Sequence, residues 1–307
     1  MNWQTKVEIT PLKDKISYND MILFMGSCFA GEVGAQMKDL RFTVLVNPFG
    51  VMFNPASVAL SLERLDSCNC FVEEDILKAG ELYKSFYHGS EFAWASKEEF
   101  LKSNNEILKS ASLHFHSSSR VIITLGSSWI YKDKTTKQVV SNCHKFPASN
   151  FERVILSTEE SANLLSPLIE KYKDKQWILT VSPVRHLRDG AHINQLSKSR
   201  LLLAADLLAE SFSNVTYFPA YELFMDELRD YRFYASDMVH PSASAVKYVW
   251  DRFKEFAVDA KCEPKIKIVD ALNQMRNHRP LFPESKDYKE FLNKIDNLEE
   301  KLLKMKL

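Results

Sequence analysis

The sequence predicts an α/β fold: a three-layer α/β/α sandwich around a parallel, flavodoxin-like sheet, with a helical extension at the C-terminal end. Three observations predict it. Apolar runs of strand length recur along the chain, each is followed by a helical pattern, and the residues with chemical use fall just after the runs. A strand covered by helices on both faces is apolar at successive positions, which separates this pattern from an alternating antiparallel one.

The first run is 21–25 (Met-Ile-Leu-Phe-Met), and it passes through Gly26 and Ser27 into a segment with Ala30, Gly31, Gly34 and Ala35. Further runs are 42–46, 121–125, 177–181 and the short 215–218. Helices are expected near 56–65, 97–111, 158–173, 193–212 and 242–259. Residues 66–96 are irregular and rich in aromatics, which suits extra strands or a cap. In 286–307, Tyr288, Phe291, Leu292, Ile295, Leu298 and Leu302 recur near helical period, giving a solvated or self-associating helix. The domain reading is a main domain over 1–260 and a helical extension over 261–307.

Composition sets bounds. The 307 residues are 45% hydrophobic and 26% charged, with 40 basic and 40 acidic side chains. That balance argues against a nucleic-acid partner. No apolar run approaches the ~18 residues of a membrane span, and the first residues lack the apolar core of a signal peptide. A cytoplasmic location is therefore expected. Cys28, Cys68, Cys70, Cys143 and Cys262 read as reduced thiols. Cys68-x-Cys70 lacks a second ligand pair, and His186, His192 and His240 lack a carboxylate at ligand spacing, so no metal is expected.

Open parallel sheets place ligands at the carboxyl ends of their strands. The connections 26–31, 47–55, 126–147 and 182–192 are thereby singled out. Asp237 and His240 stand three residues apart, so the carboxylate can hold the Nδ1 proton and leave Nε2 as a base. Ser27, at a strand-to-helix turn, has the placement of a nucleophile or of a helix cap. His144 reads either as a substrate contact or as a loop histidine bonded to backbone. Arg185 and His186 are candidates for an anionic or sugar substrate. Residues 229–234 (Arg-Asp-Tyr-Arg-Phe-Tyr) are expected to anchor the Asp237–His240 loop through buried ion pairs and hydrogen bonds, with Arg232 also a candidate substrate contact.

The string Gly26-Ser27-Cys28-Phe29-Ala30 resembles the signature of the GSCFA family of bacterial proteins. Asn47-Pro48-Phe49-Gly50, Asn142-Cys143-His144-Lys145, Val181-Ser182-Pro183-Val184 and the segment leading to Asp237 and His240 are similar to it as well, over about residues 20 to 250. The family in turn resembles the SGNH, or GDSL-like, hydrolases. That resemblance implies a Ser–His–Asp triad and an oxyanion hole made of the Ser amide, a Gly amide and an Asn side chain. Asp237 and His240 match its Asp-x-x-His, and Gly50 its Gly.

The nucleophile has two registers. Aligning Ala30-Gly31 with the Ala-Gly of the first hydrolase motif puts Ser27 there without a gap, and this register is favoured. Aligning Gly26 with its first Gly puts Cys28 there instead. The oxyanion Asn is replaced by Ser128, with Ser127 or Asn142 as other donors. The implied activity is a serine esterase acting on a small acyl ester, such as a carbohydrate O-acetyl group, with no cofactor. The alternatives are a Cys28-dependent acyl transferase or hydrolase, and a non-catalytic carbohydrate- or ligand-binding module.

Overall fold

The computed structural model describes residues 5–305. Its centre is a five-stranded parallel sheet of β1 (Met21–Gly26), β2 (Thr43–Val46), β5 (Arg120–Leu125), β9 (Gln176–Val181) and β10 (Val215–Tyr217), in the order β10-β9-β5-β1-β2. The α/β sandwich expected from the apolar runs is therefore present.

Two-sided burial explains those runs. Along β1, Ile22 and Phe24 enter one apolar cluster while Leu23 and Met25 enter another. On β5, Ile122 joins the first while Val121, Ile123 and Leu125 join the second. On β9, Ile178 faces one way and Trp177, Leu179 and Val181 the other. The first cluster is covered by α1 (Cys28–Asp39) and α7 (Ala243–Ala257). The second is covered by α2 (Pro55–Ser67), α3 (Lys97–Ser117), α4 (Thr158–Lys171) and α5 (Gly190–Ser211). A short α6 (Ala220–Glu222) runs into a wider π turn, Leu223–Glu227.

The end of the chain packs on this body. Helix α8 (Glu263–Arg276) adds Ile266, Val269 and Leu272 to the first cluster, and α9 (Lys286–Lys304) adds Leu302. Arg41 and Arg276 both pair with Glu299 and pin α9 to the surface.

The segment 66–96 carries a small hairpin, β3 (Leu77–Ala79) with β4 (Leu82–Lys84). At its heart is His88, fully buried among the rings of Phe49, Phe71, Phe92 and Phe100. Residues 126–155, expected to begin as a long loop, form a three-stranded antiparallel sheet of β6 (Trp129–Asp133), β7 (Val139–Val140) and β8 (Phe151–Ile155). The runs there are short and only half-buried, so they lack the continuous apolar pattern of the central strands. Among the described residues no helix is long and apolar enough to cross a membrane.

Candidate functional site

The chain leaves β1 for β2 on one side of the sheet, and β5, β9 and β10 lie on the other. The topological switch is thus between β1 and β5, where such sheets open a crevice at their carboxyl ends. A pocket of about 260 Å³ lies there, lined by Ser27, Cys28, Phe53, Gly126, Ser182, Val184, Arg185, His186, Val239 and His240.

Ser27 enters it from Gly26, the last residue of β1. That glycine has φ +130°, and a Cβ on it would sit 2.1 Å from the carbonyl oxygen of Thr124 on β5. Only glycine lets the two strands run this close at the crevice. The strand pairing continues one residue further, where the Ser27 amide donates to the same Thr124 oxygen (2.9 Å). Helix α1 then starts at Cys28, with Ser27 as N-cap residue in extended conformation. The Ser27 hydroxyl makes no capping bond, is fully enclosed, and has no hydrogen-bond partner among the described residues.

Cys28 is only half-buried. Its amide, at the positive end of a twelve-residue helix, has no acceptor on another residue among those described. Burial raises the Cys28 thiol pKa, with its own amide pulling the other way and Glu32 adding to the rise.

Opposite stands His240, on a turn that its own sequence closes. Ala235 donates to the His240 carbonyl (2.7 Å) and Met238 to that of Ala235 (2.9 Å), with Met238 in the left-handed region at φ 58°. Asp237 Oδ1 accepts the amides of Val239 and His240 (2.9 Å each), while Oδ2 meets His240 Nδ1 at 2.6 Å. These donors, the His240 amide foremost, hold the Asp237 carboxyl down at about 2. The carboxylate thus fixes the imidazole and leaves Nε2 for the pocket. Among the described residues neither Ser27 Oγ nor Cys28 Sγ is hydrogen-bonded to His240. Such contacts often close only when substrate binds.

The turn is anchored by hydrogen bonding, as expected, but not by buried ion pairs. The pairs Arg232–Asp230 and Arg229–Asp226 lie exposed at the surface. What holds the loop is the edge of Tyr234 against Phe224, and the Ser242 amide on the Phe233 carbonyl (2.8 Å), beside the Ser242 cap of α7.

The structure does not bring the expected oxyanion donors to the pocket. The Gly50 amide donates to Asn47 (2.8 Å), and a Cβ there would collide with Gly89 and Glu91, so Gly50 serves close packing of the 85–92 segment. Ser128 is fully buried and donates to Ser197 Oγ (3.0 Å). Asn142 donates to Ser90 and accepts the His144 amide, and His144 Nε2 binds the Ser85 carbonyl (2.7 Å). Asn142 and His144 therefore tie the 141–146 loop to the 85–90 segment, the backbone-bound reading of His144. His192 is exposed on α5 away from the pocket, and among the described residues no three His, Cys, Asp or Glu gather as metal ligands.

Lys198 was not foreseen. Its Nζ, fully buried, donates to the carbonyls of Gly126 and Ser182 (2.6 Å each), tying the loops after β5 and β9. Burial, then the Arg185 charge, pushes its pKa down to about 7. A signal existed in the sequence: Asn194, Ser197 and Lys198 continue the inward stripe of Leu201, Ala204, Ala205 and Leu208 on α5. His186 stands at the pocket rim, its ring edge-on to Phe53. Partial desolvation, then Lys198 and Arg153, lowers its pKa.

The GSCFA family model matches residues 21–253. The chain belongs to the GSCFA family. The match spans the sheet, α1 to α5, the Asp237–His240 turn and most of α7, and it ends before α8. A comparison with curated proteins finds no match.

Proposed function

We propose that this GSCFA protein transfers or hydrolyses a small acyl group carried on an ester, with Cys28 as nucleophile, His240 as base and Asp237 as the group that orients it. The observation that carries the reading is the Asp237–His240 pair meeting, in one small pocket, a half-exposed thiol at the start of α1. The thiol pKa is raised, so proton removal by His240 Nε2 is the step that makes the nucleophile. The thiolate attacks the ester carbonyl, and the Cys28 amide at the helix N-terminus, which has no acceptor on another residue among those described, offers a donor for the oxyanion. His240 returns the proton to the leaving alcohol. Water, or an acceptor hydroxyl, then attacks the thioester with His240 again as base. A volume of about 260 Å³ walled by Phe53, Val184 and Val239 suits a short acyl chain.

Gly26 favours the Cys28 register. The Ser27 register requires Gly26 to occupy the position of an Asp, where a Cβ meets the Thr124 carbonyl. The other register matches Gly26 to an obligatory Gly and gives the nucleophile an amide with no acceptor on another described residue. A second reading keeps Ser27 as nucleophile, because Ser27 lines the pocket and its enclosed hydroxyl has no hydrogen-bond partner among the described residues. Ester hydrolysis by Cys28→Ala and Ser27→Ala, with iodoacetamide and a fluorophosphonate as labels, tests both. Activity lost with Cys28→Ala and blocked by iodoacetamide supports the thiol; activity lost only with Ser27→Ala and labelling at Ser27 by the fluorophosphonate supports the serine. Hydrolysis unchanged in both variants refutes both.

A further inference from the structure

Next to the pocket is a second, larger cleft of about 700 Å³, lined by Tyr221, Met225, Asp230, Tyr231, Tyr234 and Met238 among others. Arg185 lines both cavities. It follows β9 in the loop that Lys198 braces through Ser182. Its guanidinium has one hydrogen-bonding contact among the described residues, Nη2 to the thioether sulfur of Met225 at 3.3 Å, a weak acceptor. Its Nε is enclosed and has no acceptor among the described residues. Among the described residues no carboxylate pairs with it, while neighbouring arginines have partners: Arg153 of β8 with Asp189, and Arg188 with the Tyr131 hydroxyl. The ionisable side chains lining the small pocket are Cys28, Arg185, His186 and His240, with no acid among them. Arg185 is thus the fixed cation of the small pocket's lining; in the larger cleft the acids Asp226 and Asp230 pair with Arg229 and Arg232.

A half-buried guanidinium without an anion loses hydration and gains nothing from the fold, so its fork of donors is left for a ligand. We infer that the ester processed at Cys28 carries an anionic group, a carboxylate or a phosphate, which docks on Arg185 where the two cavities join. The inference rests on the acyl-transfer reading for what happens at Cys28, and on Arg185 alone for the charge of the substrate. Arg185 binds and orients the substrate. The uncharged remainder of the acceptor or leaving group extends into the tyrosine-lined cleft, past Met238.

The test compares mono-4-nitrophenyl glutarate with 4-nitrophenyl butyrate, in the wild type and in Arg185→Gln and Arg185→Lys. Wild type favours the glutarate ester by about tenfold or more in kcat/KM, the scale of one charge-assisted bidentate contact. Arg185→Gln loses that preference through KM, and Arg185→Lys recovers part of it. Equal rates for the two esters in wild type, or a preference that survives Arg185→Gln, overturn the inference and leave acyl transfer standing.

A second readout needs no turnover: the ratio of iodoacetate to iodoacetamide alkylation at Cys28, mapped by peptide mass. Its fall in Arg185→Gln supports the inference even where neither ester is hydrolysed, and that silence then counts against acyl transfer alone. A ratio unchanged by Arg185→Gln, or a Cys28 that neither reagent reaches, overturns the inference. A phosphate-bearing ester in place of glutarate separates the two anions.

Discussion

Gly26→Ala is expected to be among the most damaging small substitutions in the chain. The added Cβ would lie 2.1 Å from the Thr124 carbonyl oxygen and 2.8 Å from its carbon, both backbone atoms of the central strand β5. No side-chain rotation relieves that contact, so β1 must move away from β5 at its carboxyl end. The movement breaks the Ser27 amide bond to Thr124, roughly 1 kcal/mol net. The backbone at φ +130° adds about 1–3 kcal/mol for any residue with a Cβ. Together about 2–4 kcal/mol is lost, and at about 2–4 °C per kcal/mol for a protein of this size the midpoint falls by roughly 5–15 °C.

Gly31→Ala is the control. A Cβ at Gly31 meets nothing within 4 Å, and the residue lies inside α1, so a gain of about 0.5–1 kcal/mol is expected. Thermal and urea denaturation followed by circular dichroism measure both. A Gly26→Ala or Gly26→Asp protein that melts within about 2 °C of wild type refutes the steric reasoning, and with it the argument that places Cys28 rather than Ser27 at the nucleophile.

Other outcomes follow from the same geometry. Lys198→Met leaves the buried carbonyls of Gly126 and Ser182 without their donor, so a loss of about 2–5 kcal/mol in urea titrations is expected; removal of the neighbouring charge also raises the His186 pKa, read by NMR titration. His240→Gln lowers ester hydrolysis by about 10²–10⁴-fold with little change in melting, because the side chain is half exposed. Asp237, held down at about 2, stays ionised across the working range, so its ionisation places no inflection on the pH–rate profile above pH 4. His88 is held neutral by burial, its pKa pushed down to about 3 from 6.5. The unfolded chain takes up that proton below pH 6.5 and the folded one does not. Stability therefore falls on acidification from 6.5 towards 3, by up to roughly 1.4 kcal/mol per pH unit from this group. A His88→Leu protein shows a shallower slope in that window, and an unchanged slope contradicts the assignment.

The central strands were legible because each is buried on both sides, which writes an unbroken apolar run such as 121–125 into the chain. The sheet formed by β6, β7 and β8 was not. Its residues, among them Tyr131, Lys132 and Arg153, are half exposed and mix charge with aromatics, a pattern that a loop shares. Asp237 and His240 were legible because their contact is local, three residues apart. The oxyanion donors were not, since the use of a backbone amide depends on which strand lies beside it. Gly50 illustrates the point: its glycine answers to the approach of Gly89, a neighbour from another part of the chain. Gly26 is a like case, because the sequence carries no trace of the Thr124 carbonyl that excludes a side chain there. Lys198 escaped notice because a single lysine on a helix is ordinarily solvated, and its burial appears only from the inward stripe it shares with Leu201 and Leu208.

The most direct measurement of the proposed chemistry is the location of the acyl group on the protein. The enzyme is mixed with 4-nitrophenyl acetate, quenched in acid within the first turnover and mapped by peptide mass spectrometry. The account predicts an acetyl group on Cys28 that hydroxylamine removes readily, as a thioester, and that persists in Ser27→Ala and disappears in Cys28→Ala. An acetyl group on Ser27, with turnover retained in Cys28→Ala, would contradict it.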